Sequence, residues 1–309
     1  MPAAVAVRPA AALAAVLLTV GLAGCATSPS VQRAAGGGLI EVAASTNVWT
    51  SILSQLGGNR VRATSIIANP QTDPHAYEPT PADARTIARS RVFVENGVGY
   101  DPWAAQIVAA SPDERRTMID VGRLAGVPDG GNPHRWYSPA DVTKVADAIT
   151  TGLKEADPAG AGYFDSRRRS FETVELGSYH RLIEEIRAGY AGAPVGASES
   201  IFAPLADALG LNLTTPAGFL QAVSEGTDPS AADKAASERQ LRDRAVKVYV
   251  YNSQNATPDV AAQLAVARRA GVPVVAVTET LNPPGASFQQ WQVSQLQALK
   301  SALAQGSAR

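Results

Sequence analysis

Short apolar runs alternate with helical stretches along most of this chain, and this alternation limits its fold more than any other feature. Between the runs, apolar residues recur every three or four positions, as they do on one face of a helix. Strands separated by helices indicate parallel β-α units with helices on both faces of a sheet. The sequence therefore predicts a doubly wound α/β fold, with strands at Leu39–Ser45, Val61–Ala68, Val92–Asn96, Met118–Asp120, Pro194–Ser198, Val246–Tyr251 and Pro273–Thr278.

Length and composition are those of a folded globular protein. The 309 residues suffice for two domains of ordinary size, and 45% of them are hydrophobic while 18% are charged. The formal net charge is only -1. Because a nucleic-acid-binding surface usually needs an excess of basic residues, this charge argues against a nucleic-acid partner.

A charged helical stretch divides the predicted strands into two groups. Between Tyr163 and Tyr190 the apolar positions are sparse, and Gly177 interrupts the pattern. Such a helix is expected to lie along the body of the protein and to join two lobes. The half that begins near Pro194 then repeats the strand and helix pattern of the first half. The predicted domains are an N-terminal lobe at 39–160, a linking helix at 161–191 and a C-terminal lobe at 192–309.

The N-terminal segment has the pattern of an export signal rather than of a folded element. Arg8 precedes the apolar run Ala10–Val20, which is shorter than the stretch of about 20 residues that a membrane-spanning helix needs. The sequence Leu-Ala-Gly-Cys follows and ends at Cys25, the only cysteine, which has no partner for a disulfide. This segment resembles the lipobox of bacterial lipoproteins. The resemblance implies a signal peptide at 1–24, a lipidated Cys25 and a flexible tether at 25–38.

Two proline-rich loops each present a histidine ahead of a predicted helix. The loop Asp73–Asp83 carries His75 and the loop Asn132–Asp141 carries His134, each directly after a proline. Both loops end with a hydroxyl residue, a proline and an aspartate at the spacing of a capped helix start. Proline fixes φ and imidazole is a common metal ligand, so His75 and His134 are predicted ligands on neighbouring loops. A proline-rich turn with an incidental histidine stays the alternative for each, and His180, which lies among charged residues, is expected on a solvated helix face.

Two glutamates follow predicted strands in the second half of the chain. Glu199 comes directly after the strand ending at Ser198, and Glu279 comes directly after the strand ending at Thr278. Doubly wound sheets bind ligands at the carboxyl ends of their strands, where both residues fall. Either glutamate could instead be a solvated surface charge. Together with two histidines from the other lobe, they would form a four-ligand site of nitrogen and oxygen suited to Zn²⁺ or Mn²⁺.

Five segments of the chain carry a family resemblance: Ala44–Trp49, Asp73–Pro81, Glu95–Asp101, Asn132–Trp136 and Val277–Leu281. Together they resemble the zinc/manganese solute-binding lipoproteins of ABC importers, the cluster A-I family. Matching blocks extend from about residue 39 to about residue 300, which is nearly the whole chain after the predicted signal peptide.

This resemblance implies a function and a ligand set. It implies two α/β lobes joined by a long rigid helix, with the metal site in the cleft between the lobes. His75 and His134 fall on the two histidine ligands of the family, Glu199 falls on the third ligand position and Glu279 on the fourth. The expected activity is capture of one Mn²⁺ or Zn²⁺ ion and its delivery to an ABC permease in the cytoplasmic membrane. The expected protein is a monomer anchored outside the cytoplasm, and it is not an enzyme.

The chain departs from the family pattern at two ligand positions. Zinc-specific members often carry a third histidine ligand and a histidine-rich acidic loop, whereas here Glu199 stands at the third position and the sequence has no such loop. This difference favours manganese. The fourth position is usually an aspartate, and Glu279 is one methylene longer. Two imidazoles and two carboxylates suit either ion, so the predicted metal is Zn²⁺ or Mn²⁺ with a slight preference for manganese.

Two other classes of function remain open. A metallohydrolase would need an open coordination position and a positioned general base. The sequence contains neither a His-Glu-x-x-His motif nor a Gly-x-Ser-x-Gly motif. A surface adhesin or other interaction lipoprotein of the same fold is the second alternative, since some members of the resembled family carry that label.

Overall fold

In the computed structural model of the chain, residues 38–69, 72, 77–255 and 257–308 are described. Residues Leu39–Arg309 form one compact unit. The predicted signal peptide, Cys25 and the predicted tether up to residue 37 lie outside the described residues, and so does His75. Among the described helices, none combines the length and the apolar character needed to cross a membrane.

The first sheet consists of β1 (Ile40–Thr46), β2 (Val61–Ile67), β3 (Val92–Glu95) and β4 (Thr117–Asp120). All pairings are parallel and the strand order is β2-β1-β3-β4. Helices cover both faces, with the buried residues of α1 and α5 on one face and those of α2 and α3 on the other. The helices of this half are α1 (Asn47–Gly57), α2 (Pro81–Arg89), α3 (Pro102–Ala110), α4 (Val121–Ala125) and α5 (Pro139–Ala156).

The two capped helix starts predicted from the sequence are present. Thr80 accepts a hydrogen bond from the backbone N–H of Asp83, and the Asp83 side chain accepts one from the backbone N–H of Thr80, which completes a capping box at the start of α2. At the start of α5, Ser138 accepts a hydrogen bond from the backbone N–H of Asp141. These caps fix where the two histidine-bearing loops end.

A helical segment in three consecutive pieces connects the two sheets. It consists of α6 (Ala161–Ser170), a π-helical turn at Phe171–Glu175 and α7 (Gly177–Tyr190). The predicted linking helix is therefore helical nearly throughout, and its irregular turn comes just before Gly177. Phe164, Phe171 and Tyr179 are buried in the main hydrophobic core.

The second sheet consists of β5 (Pro194–Ala197), β6 (Asn212–Leu213), β7 (Tyr249–Asn252) and β8 (Val274–Val277). Its strands are again parallel, in the order β6-β5-β7-β8. Strand β7 therefore lies between β5 and β8. The helices of this half are α8 (Ala203–Ala208), α9 (Ala217–Ser224), α10 (Ala231–Arg242) and α11 (Pro258–Ala270).

The last helix, α12 (Phe288–Ser307), packs against α7 and β8 and also contacts α1. Its residues Trp291 and Leu296 belong to the same hydrophobic cluster as Trp49 and Trp136 of the first half. One core therefore runs through both lobes.

A row of polar side chains on α1 holds the segment that leads into α12. Asn47, Ser51 and Gln55 lie four residues apart and so share one face of the helix. Asn47 Oδ1 accepts a hydrogen bond from the backbone N–H of Leu281 at 3.1 Å, and Ser51 Oγ accepts one from the first N–H group of α12 at 2.9 Å. The amides of Gln55 and Gln289 donate to each other at 3.1 and 2.8 Å. The chain just after Glu279 is thus tied to the first lobe.

The predicted two-lobed α/β fold is confirmed, while several element bounds differ from the prediction. The strand predicted to begin at Val246 begins at Tyr249, and the strands predicted to end at Ser198 and Thr278 each end one residue earlier. The short strand β6 and the long helix α12 were not predicted. Strand β6 contains only two residues, too few for an alternating pattern to be recognised.

We expect two helical glycines to respond oppositely to alanine. At Gly306 a β-carbon would overlap the backbone carbonyl of Lys247, so Gly306→Ala should lower the free energy of unfolding by about 1–3 kcal/mol. At Gly162, in α6, a β-carbon meets nothing within 4 Å, so Gly162→Ala should raise the free energy of unfolding by about 0.5–1 kcal/mol. Urea unfolding of both variants measures the two effects, and equal shifts would contradict the packing of α12 described above.

Candidate metal centre

Three of the four predicted ligands converge in the structure. His134 precedes α5 in the first lobe, Glu199 lies two residues beyond β5, and Glu279 lies two residues beyond β8. One ligand atom from each residue lies within 4.8 Å of the other two. Their side chains are buried, with 0%, 1% and 4% of the residue surface exposed. Such a cluster of one imidazole and two carboxylates has the donor set of a transition-metal site.

The hydrogen bonds of Asn132 set the tautomer of His134. The Asn132 amide group donates to the backbone carbonyl of Ser200 at 2.6 Å, so its Oδ1 faces the histidine. This oxygen accepts a hydrogen bond from the backbone N–H of His134 at 3.0 Å and lies 2.9 Å from Nδ1. Because an amide oxygen can only accept, the network assigns the proton to Nδ1 and leaves the lone pair on Nε2. Nε2 is then the nitrogen available to a metal.

Aromatic rings hold the His134 imidazole from the first lobe. The Trp136 ring lies 5.4 Å from the imidazole, at an interplanar angle of 88°, and the Tyr100 ring lies 6.3 Å from it. Trp136 is itself packed against Tyr100 and Trp49. Since all of these rings are buried, the imidazole has little freedom to turn.

Neutral donors hold the two carboxylates. Asn252 Nδ2 donates to Glu199 Oε1 at 2.7 Å and to Glu279 Oε1 at 2.8 Å. Asn255 Nδ2 donates to Glu199 Oε2 at 2.6 Å, and the Tyr100 hydroxyl donates to Glu279 Oε2 at 2.9 Å. These hydrogen bonds orient the carboxylates without neutralising their charge.

The loop that carries Glu279 is fixed by its backbone. Gln254 Oε1 accepts hydrogen bonds from the N–H groups of Glu279 at 2.6 Å and of Thr280 at 3.1 Å. From the first lobe, the Tyr137 hydroxyl donates to the carbonyl of Thr278 at 2.8 Å. Burial raises the pKa of Tyr137, so this hydroxyl keeps its proton. Glu279 therefore sits on a loop that both lobes hold.

A cavity of about 400 Å³ opens between the lobes beside this cluster. Tyr100 and Asn132 line it from the first lobe, and Ser200, Leu220 and Ser224 line it from the second. Tyr100 bonds Glu279 and Asn132 bonds His134, so the cavity reaches the residues next to the candidate ligands.

The other two histidines are not part of the described cluster. His75, the fourth predicted ligand, lies outside the described residues. His180 lies on α7, with 37% of its side chain exposed and Nε2 at 3.8 Å from Glu172 Oε1. The helix position predicted for His180 is confirmed.

Sequence reasoning missed the residues that hold the ligands. Asn132 lies two residues before His134 in the same predicted loop, and this proximity is a signal that the sequence contains. Asn252 directly follows the strand predicted at Val246–Tyr251, yet its role depends on which strands lie beside β7. Tyr100 and Asn255 are distant in sequence from the carboxylates that they contact. Only the tertiary structure relates them.

A second group of carboxylates lies at the carboxyl ends of β3 and β4. Burial raises the pKa of Glu95 to about 7, with further contributions from the charges of Asp101 and Asp120 and an opposing one from Arg123. Burial also raises the pKa of Asp101, against the hydrogen bonds it accepts from the N–H groups of Asn96 and Gly97.

Comparison with known proteins places these features in a family. Residues 42–302 match the family described as "Zinc-uptake complex component A periplasmic". The manganese-binding lipoprotein MntA of Halalkalibacterium halodurans is 29% identical over 153 residues, which are 48% of this chain and 50% of that protein. The high-affinity zinc uptake system protein ZnuA of Bacillus subtilis is 23% identical over 211 residues, 62% of this chain and 64% of that protein. The chain spans about half the length of the first curated relatives it matches.

A solved structure shares the fold. A manganese-bound mutant of the periplasmic metal binding protein from Candidatus Liberibacter asiaticus superposes with a TM-score of 0.71 at 19% identity. The match covers 85% of this chain and 98% of the other.

We expect Glu95→Gln to change how stability depends on pH. A folded-state pKa of about 7 lies above the unfolded value of 4.5, so folding retains a proton and the contribution of Glu95 to stability is lost as pH rises through about 7. Glutamine has no proton to lose, so the variant should not show this loss of stability. At pH 8 the free energy of unfolding of the variant should therefore exceed that of the parent by about 1–2 kcal/mol, which is less than the full pKa shift would give because the side chain is partly exposed. At pH 4 the two free energies should differ little. Urea unfolding between pH 4 and pH 8 measures the difference, and parallel profiles would contradict the raised pKa.

Proposed function

The chain belongs to the family of periplasmic zinc-uptake complex component A proteins, and we propose that it captures Zn²⁺ or Mn²⁺ outside the cytoplasm for import. The observation that carries this proposal is the convergence of His134, Glu199 and Glu279 within 4.8 Å from loops of both lobes. The relatives named for manganese and for zinc support the same class of cargo.

The electrostatics of the site favour a divalent cation. Glu199 and Glu279 are buried next to each other and share the same amide donor. Two like charges in a low-dielectric interior repel each other and lose hydration, and hydrogen bonds from neutral donors offset only part of that cost. A dication placed between the carboxylates would compensate both charges. His134 would add a neutral nitrogen ligand through Nε2.

We further propose that His75 supplies the fourth ligand. This would give two imidazoles and two carboxylates, which fill the four positions of a tetrahedral ion such as Zn²⁺. The bound ion would then be cargo rather than a catalytic centre, since metal-ion catalysis needs an open coordination position. On this proposal the protein is not an enzyme.

Capture would also link the two lobes. His134 belongs to the first lobe and Glu199 to the second, so an ion bound to both favours the arrangement in which they are close.

The proposed N-terminal lobe is 39–160, the linking helix is 161–191 and the C-terminal lobe is 192–309. In the proposed pathway, the metal-loaded monomer docks on an ABC permease, which receives the ion.

Anchoring is proposed from the N-terminal sequence. Removal of a signal peptide at 1–24 would leave Cys25 as the first residue, ready for lipidation, and residues 25–38 as the tether. Such an anchor would place the metal-binding lobes at the outer side of the cytoplasmic membrane.

Removing either proposed histidine ligand should abolish tight metal binding. We expect His134→Ala and His75→Ala each to weaken Zn²⁺ and Mn²⁺ binding by more than about 100-fold, because even residues that only support ligands cost 10–100-fold. Competition with a chelator of known affinity measures both ions on the purified domain.

His180→Ala is the matched control for these variants, since it removes an exposed histidine of α7 and should leave both affinities unchanged. Unchanged binding in His134→Ala and His75→Ala would refute the site. Host-protein binding that survives loss of all four proposed ligands would instead support an adhesin, and turnover of model esters or peptides by metal-loaded protein would support a hydrolase.

The anchor has its own test. Cys25→Ser should move the protein from the membrane fraction to the soluble extracytoplasmic fraction, because lipid attachment needs the thiol. Cell fractionation with immunodetection measures the change. Ser28→Ala, three residues further along the same segment, is the control and should stay with the membranes. A Cys25→Ser protein that still sediments with membranes would exclude this anchor.

A further inference from the structure

One amide joins the two candidate ligand carboxylates. Asn252 is the last residue of β7, the strand that lies between β5 and β8, and the two glutamates follow those flanking strands. The Asn252 side chain is buried, and its Nδ2 atom donates to Glu199 at 2.7 Å and to Glu279 at 2.8 Å. The strand order therefore places a single NH₂ group within reach of both carboxylates.

The orientation of this amide is determined by its other contacts. Asn252 Oδ1 accepts a hydrogen bond from the backbone N–H of Gln254 at 2.9 Å, and the Asn252 backbone N–H donates to Ser198 Oγ at 3.1 Å. A reversed amide would lose the bond to Gln254 and would point an oxygen at two carboxylates. The oxygen of Asn252 therefore faces away from the cluster, and the residue holds the ligands without being one.

Both oxygens of each carboxylate accept a hydrogen bond. Asn252 contacts one oxygen of each, while Asn255 contacts the second oxygen of Glu199 at 2.6 Å and Tyr100 contacts the second oxygen of Glu279 at 2.9 Å. Donors on both sides fix the plane of a carboxylate. Each oxygen keeps a second lone pair for an ion, but turning the carboxylate about its Cγ–Cδ bond to chelate one ion through both oxygens would weaken these bonds. Each glutamate is thus prepared to offer one oxygen.

We propose that Asn252 is a positioning residue that makes this site select Zn²⁺ over Mn²⁺, by restricting Glu199 and Glu279 to one ligand oxygen each. The inference rests on the proposed function of metal capture. Zinc in closed sites is almost always four-coordinate, which two imidazoles and two one-oxygen carboxylates satisfy. Manganese prefers six oxygen-rich ligands and gains more from carboxylates that chelate through both oxygens. This selectivity is opposite to the manganese preference that the ligand types alone favour.

The test compares both ions in the parent protein and in Asn252→Ala. Releasing the carboxylates should weaken Zn²⁺ binding by about 10–100-fold, the range for residues that orient metal ligands, and should change Mn²⁺ binding by less than about threefold. The ratio of the two affinities should therefore move toward manganese by at least about tenfold. X-ray absorption at the zinc edge should show about four light-atom ligands in the parent and more in the variant.

Two further variants separate this role from general damage. Gln263→Ala removes another buried amide, bonded to Ser237 away from the cluster, and should leave both affinities unchanged. Asn255→Ala releases Glu199 alone and should shift the selectivity in the same direction by a smaller factor, which keeps the test available if Asn252→Ala does not fold. An equal loss for both ions, or an unchanged ratio, would overturn the proposal. A parent protein that binds neither ion would instead contradict the proposed function.

Discussion

Two carboxylates buried side by side are the constraint on which this site depends. Glu199 and Glu279 lie at the rim of the second sheet with at most 4% of either residue exposed. Carboxylates are rarely buried unless hydrogen bonds or a cation compensate them. Among the described residues, amides and a phenol, all of them neutral, donate hydrogen bonds to these carboxylates. The remaining negative charge is the feature that a metal ion can satisfy.

The parallel sheet explains why these groups meet. Strands β5, β7 and β8 are neighbours and run in the same direction, so the residues that follow them arrive at one edge. Asn252 pairs in register with Val277, two residues before Glu279. The first lobe supplies His134 from the loop before α5. This loop ends at the Ser138 cap, and the Trp136 ring packs against the His134 imidazole. The site is therefore a product of strand order in one lobe and of loop closure in the other.

The alternating fold and the choice of His134, Glu199 and Glu279, which the structure brings together, could be predicted from the sequence because both leave local signals. A proline before a histidine and a glutamate after an apolar run can be recognised without knowing the neighbours in space. Asn252 has no such signal, since its importance arises only once β7 is known to lie between β5 and β8. Helix α12 does begin with a capping box at Ser287 and Gln290, but its many glutamines obscure the apolar spacing that would mark a helix.

The two carboxylates are attached to the first lobe to different degrees. In the described residues, the chain around Glu279 receives bonds from Tyr100 and Tyr137, and the backbone of Leu281 donates to Asn47. The chain around Glu199 meets the first lobe through the bond from Asn132 to the carbonyl of Ser200, at the edge of the interlobe cavity. The same asparagine orients His134. Separating the lobes on the cavity side would break the Asn132 bond, which serves two ligand positions, whereas separating them at Glu279 would break the bonds that involve Tyr100, Tyr137 and Asn47. Asn132 therefore couples the contact between the lobes to the orientation of His134.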